Sequence, residues 1–331
     1  MEGRLENKIK VENYIESKIA DMPEYIIRFY YSINSKTHNT KERYIVNVIR
    51  FLKDYGNGNV PSLEEVNRVS AFDIQKYISK IKYYDKGDEV AELSDAAINC
   101  NLSSLSVFFR FLYSNGMIRK NPFDVGIDRP RVQEKDVIYL NAEEVRKVKK
   151  AILNGVGNEL SVTKQQNWKY RDFCLFWFPV VNGIRVGALS EINVQDIDFN
   201  DRSVSVVEKG NRRVRIYFDE EAAMYLRMWM EKRARLLGDT KCDALFVSNR
   251  KQRMSVRSIE DIVAKYTENS IGRHISPHKL RATFATALYG KKRDIELVSK
   301  ALHHKSTTPT QKYVKVFDQD IRDAVNSGLY Y

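Results

Sequence analysis

Apolar residues in the first third of the chain recur every three to four positions. Tyr44, Val48, Phe51 and Leu52 do so between residues 40 and 55, the spacing that lines one face of an α-helix. The run Gly56-Asn57-Gly58-Asn59-Val60-Pro61 ends the pattern, because glycine and proline break regular backbone. A second helix is predicted over 69–81, with Phe72, Ile74, Tyr77, Ile78 and Ile81 as its apolar face. A third is predicted over 94–114, with Ala97, Leu102, Leu105, Phe108, Phe109 and Leu112 inward and Asn115-Gly116 as its stop signal. Residues 1–127 are therefore expected to form one mostly helical domain. From 121 to 136 the chain holds Pro122, Pro130 and many charges but few large apolar groups, so 128–138 is read as a linker.

Beyond the linker, helical and strand periods mix. Residues 141–153 open on Asn141 as a helix cap, with Glu143 and Glu144 in the first turn, where free N–H groups and the helix dipole favour carboxylates. Residues 203–208 and 212–218 flank Lys209-Gly210-Asn211. In the second arm Val214, Ile216 and Phe218 alternate with Arg213, Arg215 and Tyr217, which predicts a β-hairpin. Residues 220–237, 256–267, 277–289 and 294–302 read as helices. In the tail from 318, Ile321, Ala324, Val325 and Leu329 again keep helical spacing. The expected fold class is mainly α with a small β-sheet: a helical domain, then an α+β domain over 139–331.

Charge narrows the partners. Lys and Arg number 55 against 43 Asp and Glu, a formal net charge of +12. Such a surplus points to a polyanion, with nucleic acid ahead of an anionic membrane surface. The longest apolar run, 173–181, is far short of the ~20 residues that span a bilayer, and the first residues are too polar for a signal peptide. Cys100, Cys174 and Cys242 form no CxxC pair, so neither a zinc site nor a disulfide framework is expected. Reduced thiols fit a cytoplasmic, prokaryotic protein. There is no GxxxxGK[ST] loop for a nucleotide. The five histidines, the adjacent His303-His304 included, make no convincing metal ligand set. No cofactor and no metal are expected.

Four segments carry residues able to do chemistry. Ser276-Pro277 is a helix start, which puts His278 and Arg281 on one face near a helix N-terminus. That is a place for a phosphate, or for an ordinary surface pair. Arg185 lies in the turn after Asn182-Gly183, where a guanidinium can bond carbonyls or grip a phosphate. Lys209 sits at the hairpin tip. Thr308-Pro309 is another helix start, with Tyr313 one turn in and nine residues past His304.

Taken in order, Arg185, Lys209, His278, Arg281, His304 and Tyr313 resemble the site of the tyrosine recombinase family, also called phage-type integrases. The likeness rests on NGIRVGALSEINVQDID (182–198), EKGNRRVRI (208–216), SPHKLRATFATAL (276–288) and LHHKSTTPTQKYVKV (302–316). It covers 139–331; residues 1–127 resemble the family's core-DNA-binding domain only by position and class. Two positions depart from the family pattern. An acidic residue three after the first arginine is replaced by Ala188, and a glycine before the last histidine by His303.

The resemblance implies an enzyme that cleaves and rejoins duplex DNA through a 3′-phosphotyrosine. Tyr313 would be the nucleophile, His278 the base, and Arg185 and Arg281 the clamps on the phosphate. Lys209 would be the general acid and His304 a further donor. It also implies double-stranded DNA with short inverted repeats as partner, a homo-tetramer on two DNA sites and exchange of the C-terminal tail between copies. A type IB topoisomerase-like enzyme and a catalytically silent DNA-binding protein are the competing readings.

Overall fold

A computed structural model describes residues 2–87, 89–133, 136–208, 212–304 and 306–314. The chain divides into two compact units, 1–134 and 135–331. No helix among the described residues is long and apolar enough to cross a membrane.

The first unit contains α1 (Glu2–Ile19), α2 (Glu24–Ser32), α3 (His38–Tyr55), α4 (Leu63–Val66), α5 (Ala71–Ile81), the strands β1 (Tyr83–Lys86) and β2 (Glu89–Glu92), and α6 (Asp95–Ser114). Its core sets aromatic rings among a larger number of Ile, Leu and Val side chains. Phe29 meets Phe108 edge-on at 5.2 Å between ring centres, and Phe51 meets Phe109 at 5.9 Å, geometries that favour the ring quadrupoles. One buried polar link crosses this core: Asn47 of α3 donates to Ser104 of α6 at 3.0 Å.

Serine side chains cap α4, α5 and α6. The Ser70 hydroxyl accepts from the Asp73 N–H while the Asp73 carboxylate accepts from the Ser70 N–H at 2.9 Å, so α5 starts at 71 rather than 69. Phe72 is then 70% exposed. It belongs to the solvent face, not to the apolar face inferred from spacing, which Ile74 and Tyr77 supply. The β1–β2 hairpin was not legible as strand either. Nearly all its positions are exposed, so no apolar alternation marks them.

The second unit begins with α7 (Ala142–Asn154), α8 (Glu159–Gln166), α9 (Lys169–Asn182) and α10 (Val186–Glu191). The strands β3 (Ile197–Asp198), β4 (Ser203–Glu208) and β5 (Arg212–Tyr217) follow, then α11 (Glu220–Leu237), α12 (Val256–Ile271), α13 (Pro277–Lys292), α14 (Ile295–Ala301) and α15 (Gln311–Val314). Asn141 caps α7 reciprocally with Glu144. The sheet is antiparallel in the order β3-β4-β5, with Val206 opposite Val214 and Val204 opposite Ile216. Those residues turn inward, while Arg213, Arg215 and Tyr217 face solvent. Lys209, at the tip, lies outside the described residues, as does the tail from 315 onward.

Helix α9 is the axis of this unit. It buries Phe173, Leu175, Phe176 and Phe178 against α7, α11, α12 and α13. The buried Asp172 accepts from Arg171 at 2.7 Å and from the Tyr266 hydroxyl at 3.0 Å. Arg171 also donates to the Val247 carbonyl at 2.9 Å. This paired charge joins α9 to α12 with a donor on each carboxylate oxygen, the condition under which a buried ion pair persists. Helices α12 and α13 run on to Ile271 and Lys292, past the ends inferred at 267 and 289; in α12, Ile271 still packs on the core.

Trp229 of α11 is fully buried, and its indole N–H donates to the Leu245 carbonyl at 2.9 Å. Trp229→Ala is expected to lose about 3–5 kcal/mol of unfolding free energy, read as a lowered urea midpoint of the second unit.

Candidate active site

The turn that follows α9 is shaped by Gly183. Its φ is +67°, in the left-handed region, and its N–H donates to the Pro179 carbonyl at 3.1 Å. A Cβ at this position would stand 2.5 Å from the Phe284 ring and 3.0 Å from Leu302. Only glycine lets the turn come this close to α13. Asn182 accepts from the Ile184 N–H at 3.1 Å, and Ile184 and Leu189 are buried on either side of the half-buried Arg185. Arg185 therefore projects from a turn anchored at both ends. Ala188 packs into the apolar cluster with Leu189 and Val204, so residue 188 is not what braces Arg185.

Helix α13 brings His278 and Arg281 to that turn. Pro277 occupies its first position, as expected. Ser276 stands at the cap, as the helix start predicts, though its side chain makes no cap bond. Arg281 is 4% exposed. Its Nη1 donates to the Gly183 carbonyl and its Nη2 to the Leu302 carbonyl. Nη2 also lies 3.4 Å from His304 Nε2.

The loop after α14 completes the cluster. The His304 N–H donates to the Ser299 carbonyl at 3.0 Å. Its Nδ1 is 2.8 Å from the hydroxyl of the fully buried Thr310. With Arg281 donating toward Nε2, the Nδ1–H tautomer satisfies both contacts. The His304 ring thus meets Arg281. His303 has φ +49°, a conformation that costs a non-glycine residue about 1–2 kcal/mol. That explains why a glycine suits this position in the family.

Tyr313, in α15, is 2% exposed and packs with Ala282, Ala285, Val298 and Leu302. Burial pushes its phenol above the usual value, and the Arg281 guanidinium acts in the opposite sense. His278 moves the other way. It keeps solvent exposure, yet the surrounding protein and the positive charges of Lys312, Arg281 and Arg185 hold its pKa below the ordinary imidazole value. The accessible edge and the enclosing mass are both real: the ring is reachable by a ligand but poorly hydrated. Near neutral pH it is an uncharged base beside three cations.

Five of the six residues inferred from sequence fall among the described residues. Arg281 touches His304, and its charge acts on Tyr313 and His278. Arg185 acts on His278 through its charge. Two participants were missed. Thr310 orients His304, and Lys312 adds a cation 5.1 Å from the centre of the Tyr313 ring. A buried threonine and one lysine among many carry no signal in sequence. Among the described residues no group of three or more His, Cys, Asp or Glu is placed to hold a metal.

Comparison with known proteins gives a consistent result. The Phage integrase family matches residues 139–320. Tyrosine recombinase XerC of Caldanaerobacter subterraneus subsp. tengcongensis is 29% identical over 338 residues, spanning 97% of this chain and 90% of that protein. The XerC of Oceanobacillus iheyensis is 31% identical over 237 residues, 70% of this chain and 74% of that one. Among solved structures, the XerH site-specific recombinase bound to palindromic difH substrate, in a post-cleavage complex, is similar in fold. Its TM-score is 0.67 at 17% identity, over 89% of this chain and 82% of that one.

The strain at residue 303 can be measured. His303→Gly is expected to raise stability by up to about 1 kcal/mol, seen as a higher melting temperature. An unchanged or lower melting temperature would show that the His303 side chain offsets its backbone cost.

Proposed function

The chain belongs to the phage integrase family, and from that premise we propose how each residue of the site acts. The protein is a site-specific tyrosine recombinase that cuts and rejoins DNA. Its relatives are named as recombinases, which favours that reading over relaxation of a single duplex and over silent DNA binding. The observation that carries the residue roles is the convergence on Arg281. The guanidinium that holds the Gly183 turn and the Leu302 carbonyl also meets His304 and acts on Tyr313 and His278.

Tyr313 Oη attacks the scissile phosphorus, and the bond from phosphorus to the 5′-oxygen breaks. A free phenol has a pKa near 10, so only about 0.1% is ionised at neutral pH, and burial lowers that share further. A proton acceptor is needed. His278, held neutral by its surroundings, takes the phenolic proton. Arg185 and Arg281 face the non-bridging oxygens, where charge grows in the transition state. His304 adds a hydrogen bond from Nε2 in its other tautomer, in which the Thr310 hydroxyl donates to Nδ1. Lys209, whose role rests on the family resemblance alone, protonates the leaving 5′-oxygen. The product is a 3′-phosphotyrosine and a free 5′-hydroxyl. A second 5′-hydroxyl reverses the step without nucleotide or metal, because the phosphodiester energy stays in the protein–DNA bond.

On this reading residues 1–127 are a core-DNA-binding domain and 139–331 the catalytic domain. The partner is double-stranded DNA with short inverted repeats. Four copies act on two sites, with exchange of the tail that begins near 318. The site of action is the cytoplasm.

A nicked duplex carrying the protein's own site traps the covalent intermediate. Wild type is expected to form the adduct, and Tyr313→Phe to bind the same DNA without it. An adduct that survives Tyr313→Phe would move the nucleophile elsewhere. Arg185→Ala is expected to slow cleavage about 10²–10³-fold with binding kept. Arg281→Ala loses stability as well, since two inward carbonyls lose their donor at about 1–3 kcal/mol each.

The pH profile tests the base. His278 must be uncharged to accept a proton, so the rate falls as pH drops through its depressed pKa, below about 6.5. Lys312→Gln removes one of the three neighbouring cations, raises that pKa and moves the acid limb upward. Lys312→Arg leaves the limb in place. An identical limb in all three proteins would remove His278 from the role.

A further inference from the structure

Residues 83–92 take no part in the site. The hairpin register sets Tyr83 opposite Glu92 and Asp85 opposite Val90, so these side chains share one face. Tyr83 is 56% and Val90 71% exposed, and Asp85 is exposed beside them. Glu92 is already paired with Lys82 at 3.1 Å. A lone two-stranded hairpin is marginal in water and gains stability when a face is packed. Its acid matters in a chain of net charge +12. A face with Asp85 at its centre is repelled by a phosphate backbone and attracted by a basic protein surface.

Such a surface lies at the opposite end of α5. A cavity of about 380 Å³ there is lined by Val69, Ala71, Pro122 and Val125 and rimmed by Arg119 and Lys120. Arg119 and Lys120 are exposed, and Val125 is 77% exposed. Helix α5 has 11 residues, about 16 Å at 1.5 Å per residue. The hairpin follows its last turn and the cavity surrounds its first, so the two features of one copy stand a helix length apart.

We propose that the exposed hairpin face of one copy docks into this cavity on a second copy of the chain. Tyr83 and Val90 cover the apolar lining, and Asp85 meets Arg119. The two halves of the contact lie on different parts of the surface, so it is heterologous and repeats head to tail around a ring. It rests on the assembly of several copies on DNA proposed above.

Two charge reversals test it. Asp85→Arg sets an arginine against Arg119, and Arg119→Asp sets an aspartate against Asp85. Each protein alone is expected to pair two DNA sites at least about tenfold less well than wild type, since like charges at an interface cost more than 1.4 kcal/mol. An equimolar mixture is expected to pair them as wild type does, because an alternating ring sets every residue 85 against a residue 119 of opposite charge. Each variant alone is expected to keep single-site binding and the Tyr313 adduct. Unchanged pairing by either variant overturns the docking, as does a loss that mixing does not restore. Loss of single-site binding by Arg119→Asp overturns it too, since the cavity rim would then hold the DNA backbone. A wild-type protein that forms no adduct would instead overturn the recombinase reading.

Discussion

The second unit is organised around one buried guanidinium. Arg281 spends its donors on the main-chain carbonyls of Gly183 and Leu302 and turns toward His304. Those three residues belong to segments more than a hundred positions apart at the extremes. The carbonyl of Gly183 fixes the turn that presents Arg185, and the carbonyl of Leu302 fixes the loop that presents His304. An interior arginine with few partners would be costly; here the same bonds that satisfy the charge also align the segments. Stability and site geometry are one set of interactions.

The cost of this arrangement is electrostatic. Arg185, Arg281 and Lys312 crowd His278, and their repulsion together with burial keeps the imidazole uncharged. On the proposed reading, a bound DNA backbone adds negative charge beside the same cations that keep the imidazole neutral, so affinity for the phosphate and preparation of the base have a common source. Tyr313 waits in an apolar pocket formed by α13, α14 and Leu302. There burial keeps its phenol neutral near pH 7.

Much of this was legible in sequence, for identifiable reasons. Helices with strong apolar periods, such as α3, α6 and α11, were found because one face is buried throughout. The β4–β5 hairpin was found because Val214 and Ile216 alternate with arginines over a half-buried sheet. The β1–β2 hairpin was missed because neither face is buried, so its sequence has no period. Phe72 was misassigned because spacing alone does not say which side of a short helix meets the core; that side carries Ile74 and Tyr77. Thr310 and Lys312 were invisible for a different reason. Their parts depend on where the chain folds back, not on what flanks them. His303 shows the converse: a departure from the family pattern became intelligible once its backbone angle was known.

The most direct measurement is a structure of the protein on its own DNA site, trapped before cleavage. Arg281 should keep its bonds to the Gly183 and Leu302 carbonyls while facing the scissile phosphate, with Tyr313 Oη about 3–3.5 Å from the phosphorus. A scissile phosphate bound away from Arg281, or an Arg281 that lets go of both carbonyls to reach it, would contradict the account.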